Sequence, residues 1–302
     1  MTIKLQDCIE GMKELAPESV DIVVTSPPYN LDIKYGTYQD AKPRLEYLAW
    51  LLDVFTEIKR VLKPNGHFFL NVGYSNLDPW VGHDVAGEAR KIMVLQNNFT
   101  WIKSIAIDDK QIGHYKPINS ERFANPVWEH IFHFTKTGDV KCDKEAIGVP
   151  YAYECNIDNT SRVRGRMIKK LGYLNKRDFE ARATQAEKDK VATDLAAKLE
   201  KQKPRSTVHC PGNAWYIPYE TILDRGAHRG SHPATFPTEL VRRAIKFSGT
   251  TGTLLDPFMG TGTSAVAAVE LGLDWLGFDI DPQYVAWTES RLTPGDETSS
   301  EE

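Results

Sequence analysis

The nine residues Asp256-Pro257-Phe258-Met259-Gly260-Thr261-Gly262-Thr263-Ser264 constrain this chain more than any other stretch. They follow an apolar run, Gly252 to Leu255, that reads as a strand, and they enter a small-residue segment, Ala265 to Leu271, that reads as a helix. A second strand is expected at Trp275 to Ile280, running into the acids Asp279 and Asp281. Strand, Gly260-x-Gly262-x-x-Ala265, helix, strand and acid is the βαβ arrangement that lets backbone approach a ligand and sets a carboxylate on ribose hydroxyls. Asp279 stands 19 residues after Gly260, the spacing of an adenosine-bearing cofactor. No Lys-Ser or Lys-Thr follows the glycines, so the loop is not a phosphate-cradling P-loop. Alone, it would serve a nicotinamide dehydrogenase equally well, or be tight glycine packing with no ligand. Asp256 separates these readings: a carboxylate at the mouth of the loop repels a pyrophosphate and suits the cationic amino-acid end of S-adenosylmethionine.

A second stretch, Thr25-Ser26-Pro27-Pro28-Tyr29-Asn30, closes the apolar run Asp21 to Val24. Proline lacks the ladder donor and fixes its own φ, so Pro27 ends that strand and the consecutive prolines stiffen the turn. Ser26 and Pro27 then aim their oxygens in a fixed direction beside the ring of Tyr29, an arrangement suited to a planar substrate carrying an amino group. A proline-rich strand exit with a solvent-facing tyrosine is the bland reading of the same residues.

The 302 residues allow one large α/β domain with a substantial insertion, or two smaller domains. Hydrophobic residues at 41% and charged residues at 26% are ordinary for a globular protein, and no apolar run reaches the roughly 18 residues of a membrane span. The start lacks a basic segment followed by an apolar signal region. Cys8, Cys142, Cys155 and Cys210 form no C-x-x-C pair, so neither a disulfide framework nor a zinc site is indicated, although His209-Cys210 with Cys155 is an imaginable ligand set. A reducing, cytoplasmic setting is expected. A net charge of −4 gives no general attraction to polyanions, so any nucleic-acid contact must come from a local patch.

That patch lies in the middle of the chain. Between Arg162 and Arg205 there are 14 Lys or Arg against six acids, an excess of eight positive charges. Asp178 to Lys203 reads as exposed helix, where charge usually marks a solvated face, but Arg162-Val163-Arg164-Gly165-Arg166 is denser. Elsewhere the pattern predicts a strand at 2–6 ending at Asp7, a helix from Cys8 to Leu15, an amphipathic helix from Arg44 to Leu62 and a central strand from His67 to Val72. A helix from about Pro79 to Gln96 and strands at Trp101 to Ile107 and Val127 to Thr135 follow. Leu31 to Lys42 reads as a loop over the site, and Pro294 to Glu302 as an acidic, disordered tail. Asp7, at a strand's carboxyl end, is either a ligand contact or a helix N-cap.

With both stretches in hand, the chain resembles the amino-group DNA methyltransferases, whose hallmarks are an [S/D/N]-P-P-[Y/F] catalytic motif and a D-P-F-x-G-x-G-T cofactor loop. Here the catalytic motif stands at Ser26 to Tyr29 and the cofactor loop at Asp256 to Ser264, which is the order of the permuted β class. The Asp7 strand resembles the family's adenine-binding segment, Leu62-Lys63-Pro64-Asn65-Gly66 its L-K-P-G-G turn, and His232-Pro233-Ala234-Thr235-Phe236-Pro237 its H-P-x-x-x-P element. Gly277-Phe278-Asp279-Ile280-Asp281 through Tyr284 resembles its G-x-E-x-x-x-x-Y, with aspartate in place of glutamate at the ribose position.

The resemblance implies a Rossmann-like α/β fold: a doubly wound, mostly parallel sheet, circularly permuted so that the N-terminal strand lies next to the C-terminal strands. It implies a catalytic half at 1–139, a target-recognition insert at 140–230, a cofactor half at 231–293 and a tail at 294–302. S-adenosylmethionine is the implied cofactor, with Asp7, Cys8, Pro237, Asp256, Phe258, Gly260, Gly262, Thr263 and Asp279 as its contacts. Ser26, Pro27, Pro28 and Tyr29 form the implied catalytic turn, and Arg162, Arg164 and Arg166 the contacts to double-stranded DNA. No metal is required. Serine at the motif's first position, preceded by threonine, points to cytosine N4 rather than adenine N6; a homodimer and a cognate restriction endonuclease are partners left open.

Overall fold

The computed structural model describes residues 1–31, 37–38, 40–107, 110–113, 118–150, 160–200, 208–218 and 236–293. Cys155, Arg205, the stretch His232 to Thr235 and the tail from Pro294 lie outside the described residues. The chain forms two compact units, one of Met1–Ala146 with Gly212–Glu302, the other of Ile147–Pro211. The second unit falls inside the 140–230 span expected for the insert.

The larger unit begins with β1 (Thr2–Leu5), α1 (Cys8–Lys13), β2 (Val20–Thr25), α2 (Arg44–Val61), β3 (Leu62–Val72), α3 (Val81–Arg90) and β4 (Val94–Ile102). A small hairpin, β5 (Ile105–Ile107) with β6 (Lys110–Ile112), precedes β7 (Trp128–Thr135). The second unit supplies β8 (Val149–Pro150), α4 (Thr160–Lys170), α5 (Lys176–Arg182), α6 (Gln185–Glu200) and β9 (Val208–His209). The chain returns to the first unit with β10 (Ala214–Tyr216), α7 (Thr238–Ser248), β11 (Thr253–Asp256), α8 (Thr263–Glu270), β12 (Asp274–Asp279) and α9 (Pro282–Leu292).

Eight strands form one sheet in the order β1-β12-β11-β2-β3-β7-β4-β10. It is mostly parallel; only β7 runs against its neighbours β3 and β4. β1 pairs with β12 in the register Thr2 to Leu276 and Leu5 to Asp279, so the first strand of the chain adds to the last, as the permuted order requires. The central strand β2 has Ile22, Val23 and Val24 at 0–1% exposure, the signature of a parallel strand covered on both faces. The strand order reverses between β11 and β2, the topological switch point at which open α/β sheets bind ligands.

Helix α2 buries Tyr47, Leu51, Val54, Phe55, Ile58 and Val61, a stripe at helical spacing. Leu45, which the periodicity also places on that face, stands 82% exposed in the first turn. The helix ends where Leu62 turns extended, and the Lys63-Pro64-Asn65-Gly66 turn is already the start of β3. The helix expected from Pro79 to Gln96 stops at Arg90. Val94 and Leu95 instead pair with Thr135 and Phe134 of β7, so ladder formation overrides the local helical period. In the second unit, Val163 and Met167 of α4 pack with Leu195 of α6, and Ile168 packs with Phe179 and Val191.

Candidate active site

The switch point opens into a cavity at the carboxyl ends of four adjacent strands. Its walls come from Asp7 and Cys8 after β1, Ser26 to Tyr29 after β2, Pro257 and Phe258 after β11, and Asp279 to Asp281 with Tyr284 after β12. Both motifs singled out in the sequence therefore face one space.

On the glycine-loop side, Asp279 lies at the end of β12 and turns back toward the loop. One carboxylate oxygen accepts from the Gly260 N–H at 2.8 Å and the other from the Asp281 N–H at 2.9 Å, while burial raises its pKa. Each oxygen keeps a further lone pair for a ligand hydroxyl. Gly262 has φ of 81°, and a Cβ there would sit 2.7 Å from Thr288 Cγ2, so both conformation and space require glycine. Thr288 also donates to the Gly260 carbonyl at 3.0 Å, tying the loop to α9.

Several expected cofactor contacts stand behind the wall rather than in it. Gly260, Gly262 and Thr263 shape the loop without lining the cavity, and Pro237 is the N-cap of α7. Asp256 departs furthest from its expected place. Its carboxylate is not at the loop mouth but 1% exposed, receiving hydrogen bonds from Thr25 Oγ1 at 2.5 Å, Ser264 Oγ at 2.6 Å and the Phe258 N–H at 3.0 Å. Burial pushes its pKa up to about 6. The reason is geometric: the side chain turns under the loop and braces the end of β2 against the start of α8. Asp7 is the N-cap of α1, accepting from Ile9 and Glu10 N–H, and it also lines the cavity. Cys8 is buried, and burial pushes its thiol far above the ordinary range, so it is a neutral wall residue.

On the proline side, the turn is held from outside and below. Tyr47 Oη donates to the Pro28 carbonyl at 2.7 Å, and the Asn30 side chain, at φ of 58°, exchanges hydrogen bonds with the Lys42 backbone at 2.7 and 2.8 Å. Tyr29 is 8% exposed rather than solvent-facing. Its hydroxyl sits 2.6 Å from Ser26 Oγ, 2.8 Å from Asn71 Nδ2 and 3.2 Å from Glu129 Oε2. Asn71 Nδ2 also donates to Glu129 Oε2 at 2.6 Å, and Lys103 Nζ pairs with the other oxygen of Glu129. Burial first and the Glu129 carboxylate second push the Tyr29 hydroxyl well above the ordinary phenol range, so it carries its proton. Gly73 lets β3 leave close by: a Cβ there would fall 2.7 Å from the Tyr29 ring.

An aromatic wall draws on the stretch expected as a loop over the site and on Trp50, which sequence reading missed. Tyr38, Trp50 and Lys42 line the cavity, with Lys42 Nζ 5.1 Å from the Trp50 ring centre and Trp50 edge-on to Phe258 at 5.6 Å. Trp50 lies on α2 at the edge of its apolar stripe, three residues after Tyr47 and four before Val54, so its spacing alone reads as a core position. Glu129, Asn71 and Lys103 were also missed, because β3 and β7 read simply as apolar strands. Elsewhere, the His67 and His133 rings and the Cys142 thiol bring N, N and S atoms within 4.8 Å. The two rings hydrogen-bond each other at 3.0 Å and His133 engages Asn97 at 2.9 Å, while burial lowers their pKa values to about 4 and about 3.

In the second unit, Arg162, Arg164 and Arg166 all fall on α4; Arg166 is exposed and Arg164 half-exposed, and the Arg162 side chain lies outside the description. Among the described residues no helix is long and apolar enough to cross a membrane.

A family model described as DNA methylase, covering the N6 and N4 methyltransferases, matches residues 20–290. The chain is 25% identical over 289 residues to the type II methyltransferase M.BglII of Bacillus subtilis, with 92% of the chain aligned to 65% of that protein's length. It is 24% identical over 303 residues to the DNA adenine methyltransferase YhdJ of Escherichia coli K12, covering 100% of the chain and 85% of YhdJ. Among solved structures, the cytosine-N4-specific PvuII DNA methyltransferase superposes with a TM-score of 0.64 at 19% identity, over 99% of this chain and 87% of that one. A Thermus thermophilus protein described as a putative DNA modification methylase, complexed with S-adenosyl-L-methionine, superposes at 0.56 and 21% identity, over 96% and 92%.

Proposed function

The chain belongs to the DNA methylase family of N6/N4 methyltransferases, and from that premise we propose that it methylates the N4 amino group of cytosine in double-stranded DNA. The observation that carries the reading is the single cavity onto which Ser26 to Tyr29 and Asp279 both open, from opposite sides of the switch point. The cofactor is S-adenosylmethionine, which when bound supplies an electrophilic methyl group. Asp279 would hold the ribose hydroxyls, Phe258 and Tyr284 would flank the adenosine, and Asp7 with Cys8 would close its far side. Asp256 acts through the loop it braces.

An exocyclic amino group is a poor nucleophile because its lone pair is delocalised into the ring. Ser26 Oγ and the Pro27 carbonyl would accept its protons, drawing the nitrogen toward a tetrahedral geometry aimed at the methyl carbon, with transfer direct. A cysteine nucleophile belongs to methylation at a ring carbon, and the catalytic turn holds none. Tyr29 would form the stacking wall for a base flipped out of the duplex, since a paired base cannot reach such a pocket. Arg162, Arg164 and Arg166 would contact DNA phosphates or guanine edges. A cognate restriction endonuclease fits the type II relatives.

Adenine N6 is the second reading, favoured by the similarity to YhdJ over the whole of this chain. Serine rather than aspartate at position 26 supports cytosine. Mass spectrometry of nucleosides from duplex DNA incubated with the protein and S-adenosylmethionine decides it: N4-methylcytosine is expected. N6-methyladenine alone would overturn the base assignment and leave the amino-methyltransferase reading standing.

A further inference from the structure

The hydrogen bonds around Tyr29 have a direction, and it is imposed from a strand outside the catalytic turn. Glu129, on β7, is an acceptor to every neighbour it has in this cluster: it takes Lys103 Nζ on one oxygen, and Asn71 Nδ2 and the Tyr29 hydroxyl on the other. That also settles the Asn71 amide, which must turn its NH2 toward the carboxylate and thereby toward Tyr29 Oη. The phenol oxygen thus has a donor in Asn71, an anionic acceptor in Glu129, and one partner of open polarity, the Ser26 hydroxyl at 2.6 Å. Tyr29 has a single proton. A hydrogen bond to a charged acceptor is roughly twice as strong as one between neutral groups, so that proton goes to Glu129 although Ser26 is nearer. Two oxygens 2.6 Å apart need a proton between them, and the remaining one belongs to Ser26.

We propose that Glu129 is a positioning residue that, through Tyr29, forces the Ser26 hydroxyl to point away from the cavity, leaving only its lone pairs to face the substrate. The inference rests on the amino-methyltransferase reading and deepens it. A free serine hydroxyl can donate or accept; a serine whose proton is committed to Tyr29 can only accept. Such a site favours a target atom that carries hydrogens, an exocyclic amino group, and disfavours ring nitrogens and carbonyl oxygens, which would meet a lone pair with a lone pair. Lys103 holds the other Glu129 oxygen, and Asn71 fixes the carboxylate oxygen that Tyr29 uses.

The test uses the full-length protein, duplex DNA and S-adenosylmethionine, with single-turnover methyl transfer and cofactor affinity measured side by side. Tyr29→Phe keeps the ring and breaks the chain; Glu129→Gln keeps the shape and removes the charge that decides the direction. Each should slow transfer by about tenfold or more while the cofactor Kd stays within about twofold. The double variant should be no slower than Tyr29→Phe alone, because Glu129 acts only through that hydroxyl. Glu129→Gln combined with Lys103→Met removes the cation together with its carboxylate, and stands in if the single variant does not fold. Wild-type rates in the Glu129 variants, or losses that multiply in the double, would overturn the positioning role while leaving the methyltransferase reading intact. A wild-type protein that forms no amino-methylated base would overturn both.

Discussion

Thr25 and Asp256 stand 231 residues apart in sequence, yet share a buried hydrogen bond of 2.5 Å across the switch point of the sheet. Thr25 ends the strand that leads into the serine-proline turn, and Asp256 begins the glycine loop. One short hydrogen bond therefore sets the spacing between the two halves of the cavity.

Removing that brace should cost stability rather than ligand affinity alone. Asp256→Ala strips partners from two hydroxyls and one backbone N–H, and each buried polar group left unsatisfied costs roughly 1–3 kcal/mol. Urea unfolding should show a loss of about 3 kcal/mol or more, and an unchanged midpoint would contradict the brace.

The same carboxyl predicts a pH dependence. Its pKa is about 6 in the folded protein against 3.8 for the free side chain. Between those values the native state holds a proton the unfolded chain has lost, so this group's contribution to stability is greatest below pH 3.8 and falls as pH rises through 6. Relative to Asp256→Asn, which does not titrate, the wild type should lose about 3 kcal/mol across that window, at about 1.4 kcal/mol per pH unit. Parallel denaturant titrations at pH 4 and pH 7 measure it.

Asp279→Ala removes the proposed ribose contact together with the acceptor for the Gly260 N–H. S-adenosylmethionine affinity should fall at least about tenfold, equivalent to 1.4 kcal/mol, with circular dichroism unchanged. Calorimetric affinity equal to wild type would remove Asp279 from the cofactor site.

Ser26→Ala should spare cofactor binding and slow methyl transfer by about a hundredfold, the scale seen when one preorganised hydrogen-bonding partner is deleted from an active site. Equal loss in affinity and turnover would mean that Ser26 binds rather than assists.

Replacing Arg162, Arg164 and Arg166 together by alanine should flatten the salt dependence of DNA binding by about one unit of slope for each phosphate that is no longer neutralised. A slope identical to wild type would place DNA elsewhere on the protein.

What the sequence disclosed follows from what short-range chemistry can encode. Glycines at 260 and 262 and prolines at 27 and 28 act on their own backbone, and the acid at 279 stands at a fixed spacing from the glycines, so the sequence announced the loop, the turn and the parallel sheet. Asp256 was legible as a site residue but its direction was not, because Thr25 and Ser264 reach it only after β2 and β11 pair. Glu129 was invisible for a related reason: it follows Trp128 in a strand of alternating apolar and histidine residues, and its partners come from β3 and from Lys103 just beyond β4. The end of α3 was misjudged where Val94 and Leu95 satisfy either a helix or a strand, and only the partner strand decides.

The pairing of β1 with β12 has a consequence for synthesis. β1 pairs with a neighbour that is translated some 270 residues after it, about 14–54 s at 5–20 residues per second. Until then Asp7 and Cys8 have no wall to complete, while Val20 to Val72 can already fold into the neighbouring β2–α2–β3 unit. The pocket for the cofactor is therefore complete only once β12 has been made. A chain cut short between Thr135 and Thr253 should carry the catalytic turn without the glycine loop and the Asp279 strand that complete the pocket beside it.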